Sequence, residues 1–265
     1  MGRHLFIVIA LLLCGHALPS AAATLPTFSF CDDANEWPPY TQYRREGGQR
    51  TQELTGFTVE LLRLLGQRLG FEPRIDMLPW KRCQEAVRQG ERIGLLNAIR
   101  TPERERDYLI SPVIYETRLL VLWRRSQFPQ GLTLRTQTDL LPLRIGALHG
   151  YSYSQLDAVP SDRLIRAPNY GSLLQMLKLQ RVDVALINEG VLLGLAAQEQ
   201  LPADWDRELV RGEIADRLPS RFHLMLSRKH PQADALHQSI TQELQQMQRS
   251  GELARLRTQW LDSLP

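Results

Sequence analysis

Long apolar segments are scarce in this sequence of 265 residues, and the one near its start is short. Residues 5–13 form an apolar run that is too short to span a bilayer. Arg3 precedes this run, and the small residues Ala21, Ala22 and Ala23 follow it. The pattern predicts an export signal that is cleaved after Ala23 and releases the rest of the chain into the periplasm. A single-pass membrane anchor is the alternative interpretation.

The sequence also has little net charge. Its 32 Lys and Arg residues against 29 Asp and Glu residues give a formal net charge of +3 at pH 7. No basic stripe with interleaved aromatic residues is present. We therefore expect no nucleic acid as a partner, because affinity for nucleic acids comes mainly from cations that contact the phosphates.

Cysteine is rare, with three residues in the whole chain. Cys14 lies within the predicted signal, so Cys31 and Cys83 remain in the exported protein. In an oxidising compartment a disulfide is the default for such a pair, and it would tie the end of the first strand to the start of the second helix. Two buried free thiols are the alternative. The Cys and His spacings do not match a zinc site, and we expect no metal or other cofactor.

Segments typical of strands and helices alternate along the chain in two series. Residues 57–71 carry a helical apolar stripe that ends at a glycine, and residues 93–99 form an apolar run typical of a buried strand. The pattern is interrupted at residues 124–131 and then starts afresh. This organisation predicts two α/β domains.

Three blocks of sequence resemble one known family in their order and spacing. The first is WPPY at residues 37–40 with the Gly-Phe-led helical segment at residues 56–71, the second is NAIRTPERERDYLISPVIYE at residues 97–116, and the third is RSGELARLRTQWL at residues 249–261. Together they resemble the bacterial extracellular solute-binding proteins of family 3, the polar amino-acid-binding type. The resemblance covers almost the whole chain after the predicted signal.

The resemblance implies an α/β fold of the two-lobed, type II periplasmic-binding-protein kind. Two crossing strands would join the lobes. The first lobe would contain residues 24–123 and 222–265, and the second lobe, inserted between them, residues 124–221. A ligand would bind in the cleft and the lobes would close over it by a hinge motion.

The same resemblance places Arg104 at the family's carboxylate-binding arginine. A guanidinium matches the two oxygens of a carboxylate, and the charge strengthens the hydrogen bonds. Thr101 is typical of a helix N-cap, so free backbone N–H groups nearby would favour the same anion. The alternative is that Arg104 is a solvated charge, which is our interpretation of Arg100 and Arg106.

Aromatic residues form the second part of the predicted site. The resemblance implies that Trp37 and Trp80 contact the apolar part of the ligand, and an aromatic face also attracts an ammonium group. Tyr40 either joins them or is buried in the core of the lobe.

In the second lobe, Gly150, Tyr151 and Ser152 match a loop that follows a strand and opens a helix, where backbone donors can bind an anion. The family has small residues there, whereas this sequence has Tyr151 and Tyr153.

Two positions differ from those of amino-acid-binding members. Asn188 stands where those proteins carry an aspartate that neutralises the α-ammonium group, and Ile99 stands where they have a threonine. Asn97 and Glu189 lie next to these positions and complete the predicted site. A buried ammonium group without a counter-charge is costly. Either Glu189 turns into the cleft, or the ligand is not a standard amino acid.

The resemblance implies a monomeric protein that captures a small, carboxylated solute by hinge closure and delivers it to the membrane subunits of an ABC importer. Binding and closure would require no chemistry. One alternative is a dehydratase of the cyclohexadienyl type on the same fold, with Glu189 as its general acid. The other is a ligand sensor that docks to a membrane partner.

Overall fold

The computed structural model describes residues 24–201 and 204–261. The predicted export signal and its cleavage site lie outside the described residues. In the part of the chain that the structure describes, no helix combines the length and the apolar character needed to cross a membrane.

The secondary structure alternates between strands and helices, as the sequence pattern predicts. In chain order the elements are β1 (Thr27–Asp33), β2 (Gln42–Glu46), β3 (Gln49–Thr55), α1 (Phe57–Leu69), β4 (Glu72–Leu78), α2 (Trp80–Gln89), β5 (Gly94–Ile99), α3 (Pro102–Asp107), β6 (Tyr108–Ile110), β7 (Tyr115–Thr117), β8 (Leu119–Arg124), β9 (Ile145–Leu148), β10 (Leu164–Ala167), α4 (Tyr170–Lys178), β11 (Val184–Asn188), α5 (Glu189–Ala197), α6 (Trp205–Glu208), β12 (Leu209–Glu213), β13 (Ser220–Ser227), α7 (Ala233–Arg249) and α8 (Glu252–Leu261). Short 3₁₀ helices lie at Gln137–Leu140 and Ser161–Arg163.

The first sheet has the strand order β4-β1-β5-β13-β6, and β7 also pairs with β13. Strand β1 runs parallel to β4 and β5, with helices α1 and α2 as the crossovers that parallel neighbours require. Helix α1 buries the apolar stripe that includes Val59, Leu62 and Leu65, and it ends where Gly70 adopts a left-handed conformation with φ +74°.

The second sheet has the strand order β10-β9-β11-β8-β12. Strand β8 pairs with both β11 and β12, so the chain changes sheet at Arg118. It returns to the first sheet when β13 begins at Ser220. The two-lobed α/β fold agrees with the prediction, but the crossing lies N-terminal to the predicted boundary at Trp123. Residues 119–123 therefore pair with the second sheet and not the first.

No helix follows Gly150, contrary to the sequence prediction, because residues 151–159 form a series of turns. The Tyr153 hydroxyl accepts a hydrogen bond of 3.0 Å from the backbone N–H of Leu148. This bond folds the loop back onto the end of β9. The N-terminal N–H groups of a helix are therefore not available at Gly150.

Helix α5 of the second lobe packs closely on the WPPY turn of the first. A Cβ atom at Gly194 would lie 2.7 Å from the carbonyl carbon of Pro38, and one at Gly190 would overlap the Tyr40 hydroxyl. Glycine is required at both positions for this close approach of the two lobes.

The disulfide between Cys31 and Cys83 is present, which confirms that prediction. It joins β1 to α2 with a Cα–Cα distance of 5.7 Å, and both residues are fully buried. The bond closes a loop with a sequence separation of 52 residues.

Replacing both cysteines by alanine should lower the free energy of unfolding by about 4 kcal/mol, because the unfolded chain regains the entropy that the closed loop removes. Urea unfolding of the wild type and of the Cys31→Ala/Cys83→Ala variant measures this. Dithiothreitol should destabilise the wild type and leave the variant unchanged. Labelling of both cysteines by a thiol reagent in the folded, non-reduced protein would contradict the bond.

Candidate functional site

A cavity lies between the two lobes, at the carboxyl ends of β1 and β5 from the first sheet and β9 and β11 from the second. Ligand sites in open α/β sheets occur at this edge. The cavity volume is about 50 Å³. It is lined by Asp32, Asp33, Trp37, Trp80, Asn97, Ile99, Arg104, Tyr151, Ser152, Tyr153, Gln155, Tyr170, Leu186, Ile187, Asn188 and Phe222.

Arg104 lines this cavity and is buried, with 7% of its surface exposed. Thr101 caps α3 by accepting the backbone N–H of Arg104 at 3.2 Å, which fixes the base of the side chain. One guanidinium nitrogen, Nη1, donates to the backbone oxygen of Ile99 at 2.7 Å, and the guanidinium carbon lies 5.7 Å from the centre of the Trp80 ring. No carboxylate of the described residues pairs with it.

Burial lowers the pKa of the Arg104 guanidinium from its ordinary value. The group still carries its charge at neutral pH. A buried guanidinium with a single carbonyl partner has several free N–H donors, so an anion that enters the cavity finds a preformed partner.

Two carboxyl groups that we did not select from the sequence also line the cavity. Asp32 and Asp33 are the last residues of β1 and are 2% and 3% exposed. Burial raises the pKa of Asp32 to about 7 and raises the pKa of Asp33 above its usual range. The sequence did contain a signal for them: two acidic residues follow an apolar β-prone segment directly. In open α/β sheets, ligands bind at the carboxyl ends of strands.

Asn97 holds Asp32 in place. Its Nδ2 donates to Asp32 Oδ2 at 2.6 Å and to Thr41 Oγ1 at 2.8 Å. Its Oδ1 accepts from the hydroxyls of Thr58 at 2.7 Å and Tyr115 at 3.0 Å. All the hydrogen-bonding capacity of the amide is used, and the backbone has an uncommon left-handed conformation with φ +52°. Asn97 lines the cavity, but it acts on Asp32 and has no free polar group for a ligand.

The two predicted tryptophans both line the cavity. The Trp37 ring lies 5.4 Å from that of Tyr151 across the cleft and 5.6 Å from that of Phe222, measured between ring centres. Its indole N–H donates to the Tyr115 hydroxyl at 2.9 Å, which fixes the ring. Trp80 faces the Arg104 guanidinium.

Tyr40 does not line the cavity, so its predicted ligand contact is corrected to a role in the core. Its ring stacks on that of Tyr115 with a centre-to-centre distance of 3.8 Å and meets Phe57 edge-on. The side chain is fully buried, and burial raises its pKa to about 12.

In the loop after β9, Tyr151 and Ser152 line the cavity, and Gly150 lies beside it. A Cβ atom at Gly150, where φ is +81°, would be 3.8 Å from the side chains of both Trp80 and Lys81. This residue therefore lines grooves that adjoin the cavity.

Glu189 also lies outside the cavity lining. Its carboxylate accepts a hydrogen bond of 2.8 Å from Arg118 Nε, and its backbone N–H donates to the Arg118 carbonyl oxygen at 2.8 Å. Arg118 also binds Glu213. Of the two alternatives left open, the one in which Glu189 turns into the cleft is not found: the contacts with Arg118 hold its side chain beside the sheet crossing.

Four buried oxygen atoms that belong to lining residues have no hydrogen-bond partner among the described residues. They are Asp33 Oδ2, the Tyr151 hydroxyl, Gln155 Oε1 and Asn188 Oδ1. The Tyr151 hydroxyl approaches Asp33 and Tyr170 without a hydrogen bond of normal geometry. Buried polar atoms are normally paired, so a ligand with several N–H donors would satisfy this side of the cavity.

A family model for bacterial extracellular solute-binding proteins, family 3, matches residues 32–263. The chain belongs to this family. No curated protein matches it.

Solved structures of three other proteins share the fold. A histidine kinase sensor domain with similarity to periplasmic binding proteins has a TM-score of 0.72 and 16% identity, covering 91% of this chain and 98% of its own. The amino-acid ABC transporter substrate-binding protein AbpA from Streptococcus pneumoniae, bound to L-arginine, has a TM-score of 0.69 and 17% identity, covering 89% and 94%. The ancestral amino acid-binding protein AncCDT-1, a precursor of cyclohexadienyl dehydratase, has a TM-score of 0.68 and 16% identity. The match covers 89% of this chain and 95% of AncCDT-1.

Within this family 3 protein, the charges of the cavity lining all come from the first lobe. Arg104 supplies the positive charge, and Asp32 and Asp33 supply the acidic groups. The lining residues of the second lobe are aromatic, apolar or neutral and polar. The arrangement can bind a solute that carries both an anionic and a cationic group.

The raised pKa of Asp32 predicts that the protein loses stability as the pH rises from about 4 to about 7. In this window the folded protein keeps a proton on Asp32 that the unfolded chain releases, so raising the pH favours unfolding. Relative to Asp32→Asn, which cannot titrate, the wild type should lose roughly 2 to 3 kcal/mol of unfolding free energy between about pH 5 and about pH 7.5.

Urea unfolding of both proteins at about pH 5 and about pH 7.5 tests this. Asp33 is present in both, so its own titration largely cancels in the comparison. An equal difference in stability between the two proteins at both pH values would show that Asp32 has an ordinary pKa.

Proposed function

We propose that this protein captures a small zwitterionic solute of the amino-acid class in the cleft between its lobes and delivers it to the membrane subunits of an ABC importer. It acts in the periplasm as a monomer, after cleavage of the signal behind Ala23. Membership of the family supports the binding role. One observation carries the proposal: the buried Arg104 guanidinium faces the cavity, and no acidic side chain of residues 24–201 and 204–261 pairs with it.

The anionic end of the solute binds Arg104. Burying an unpaired charge is unfavourable, and a carboxylate compensates for it with charge-assisted hydrogen bonds in a matched geometry. Trp80 packs near the guanidinium and restricts its position. A carboxylated solute therefore fits this end of the cavity better than a neutral one.

The cationic end of the solute lies near Asp33, whose Oδ2 atom has no hydrogen bond of normal geometry in the described part of the chain. Gln155 and Asn188 offer two further acceptor oxygens from the second lobe. An ammonium group has three donors and could satisfy these three acceptors. Asp33 thus supplies the counter-charge that the sequence lacks at Asn188, and Glu189 is not needed.

The dehydratase is a second candidate that one observation favours. Glu189, the acid first considered for it, is bound by Arg118, but Asp32 is a buried cavity residue whose pKa is about 7. A carboxyl group that holds a proton near neutral pH can act as a general acid. A change in absorbance on adding prephenate or arogenate would reveal this activity, and we expect none. The sensor alternative requires docking to a membrane partner and would use the same solute site.

A thermal-shift screen of amino acids, polyamines, organic acids and opines should identify the solute, and Arg104→Ala should then weaken its binding at least about 30-fold, because a buried charge pair loses one partner. The variant should fold normally, since it removes a buried charge that has no acidic partner in the unliganded protein. Titration calorimetry measures the affinity.

Arg106→Ala is the matched control, because Arg106 is exposed on the same helix and, among the residues that the structure describes, donates only to the Pro102 carbonyl. Its affinity should equal that of the wild type. The affinity of Arg104→Lys for the solute should lie between those of the wild type and Arg104→Ala, because lysine keeps the charge but lacks the planar pair of donors. If Arg104→Ala bound the identified solute as tightly as the wild type does, Arg104 would not be part of the site.

A further inference from the structure

We propose that Arg45 and Gln198 form a latch that holds the two lobes together at a point remote from the solute, and that Arg45 is a positioning residue for lobe closure. The inference rests on the proposed function, because closure matters for a protein that traps a solute. Arg45 lies on β2 of the first lobe, and Gln198 directly follows α5 of the second. Arg45 Nη1 donates to Gln198 Oε1 at 2.6 Å.

Helix α5 approaches the first lobe at positions spaced four residues apart. Gly190 meets Tyr40, Gly194 meets Pro38, and Gln198 meets Arg45. A spacing of four residues returns to nearly the same face of a helix, so these contacts form one line. Gly190 also donates its N–H to Thr117, beside the sheet crossing, so the line starts at the hinge. At 1.5 Å per residue, Gln198 lies roughly 12 Å beyond Gly190.

This distance matters for opening. A rotation about the hinge moves the far end of α5 more than its near end, so the contact at Gln198 is among the first to separate. A hydrogen bond at Gln198 lies farther from the hinge than the contacts beside Thr117, so it resists rotation of the lobes with a larger torque.

Hydrogen bonds within the first lobe fix the position of the Arg45 guanidinium. Glu36 accepts two hydrogen bonds of 3.0 Å from the Arg45 guanidinium, one on each oxygen, and a third of 2.9 Å from the Tyr43 backbone N–H. The side chains of Glu36 and Arg45 are 8% and 16% exposed. Because Glu36 already fixes the guanidinium, bonding to Gln198 requires little further loss of side-chain freedom.

The latch also adjoins the cavity through the backbone. Glu36 has a left-handed conformation with φ +62°, and the next residue is Trp37, which lines the cavity. Glu36 therefore turns its side chain toward α5 and the antiparallel pair of β2 and β3, while Trp37 faces the cavity. Strengthening or breaking the latch changes the fraction of closed molecules, and the apparent affinity for any solute scales with that fraction.

The test uses unliganded protein, so it does not depend on which solute binds. Spin labels are placed on cysteines introduced at Lys81 and Ser154, two exposed positions that line the same groove from opposite lobes. Pulsed electron paramagnetic resonance then gives the distance distribution between the lobes. Breaking the latch with Arg45→Ala or Gln198→Ala should lower the ratio of closed to open molecules by about tenfold, as expected for a hydrogen bond with a charged donor.

Arg44→Ala is the control, because Arg44 lies on the same strand and its one ion pair within the described ranges is with exposed Glu53. It should leave the distances unchanged. Arg45→Ala also removes the paired guanidinium from Glu36, which keeps the Tyr43 N–H and Arg50 at 3.9 Å. The decisive variant is therefore Gln198→Ala, which keeps the Glu36–Arg45 pair intact. The double variant should open no further than Arg45→Ala, since both substitutions remove the same contact between the lobes. Wild-type distances in Gln198→Ala would overturn the latch, whatever the outcome for Arg104.

Discussion

The constraint on which this structure depends is the cost of burying charge. Arg104, Asp32 and Asp33 are all nearly inaccessible to solvent, yet none of them forms an ion pair among the described residues. Proteins rarely tolerate such groups unless they are paired or have shifted pKa values. Here burial raises the pKa values of both carboxyl groups and lowers the pKa of the Arg104 guanidinium, which keeps N–H donors free for a ligand. The cavity between them is lined by both kinds of group, so a mobile partner that binds there can satisfy them together.

The fold brings these groups together through strand ends and not through sequence proximity. Strand β1 delivers the two carboxyl groups, and β5 leads directly into the capped turn that carries Arg104. The disulfide ties β1 to α2, whose first residue is Trp80. Asn97 then links β5 to β1 by its bond to Asp32. The positions of the charged groups are set by the core of the first lobe, so little rearrangement is needed before a solute arrives.

Periodicity was sufficient to predict the alternating strands and helices, and the cysteine count with the expected export predicted the disulfide. The family resemblance grouped Arg104 with Trp37 and Trp80, and all three line the cavity. The errors have a common cause. Tyr40 and Glu189 are turned away by tertiary partners, the Tyr115 ring and the Arg118 guanidinium, that no local pattern reveals. The helix expected after Gly150 failed because a tyrosine hydroxyl binds the backbone of the preceding strand. Asp32 and Asp33 looked like ordinary loop acids, and only the register of β1 identifies them as buried.

The two lobes contribute different groups to the site, because all the charged side chains of the cavity lining belong to the first lobe. If a zwitterionic solute binds as proposed, the first lobe can hold both of its ends, because Arg104 and the two acids move together as one body. The second lobe then adds only neutral acceptors and aromatic surface, including Asn188 and Tyr151. Such groups discriminate by shape and by donor geometry, not by charge, and they act only when the lobes meet. Selection among similar solutes would therefore occur at closure, which is the step that contacts outside the cavity also influence.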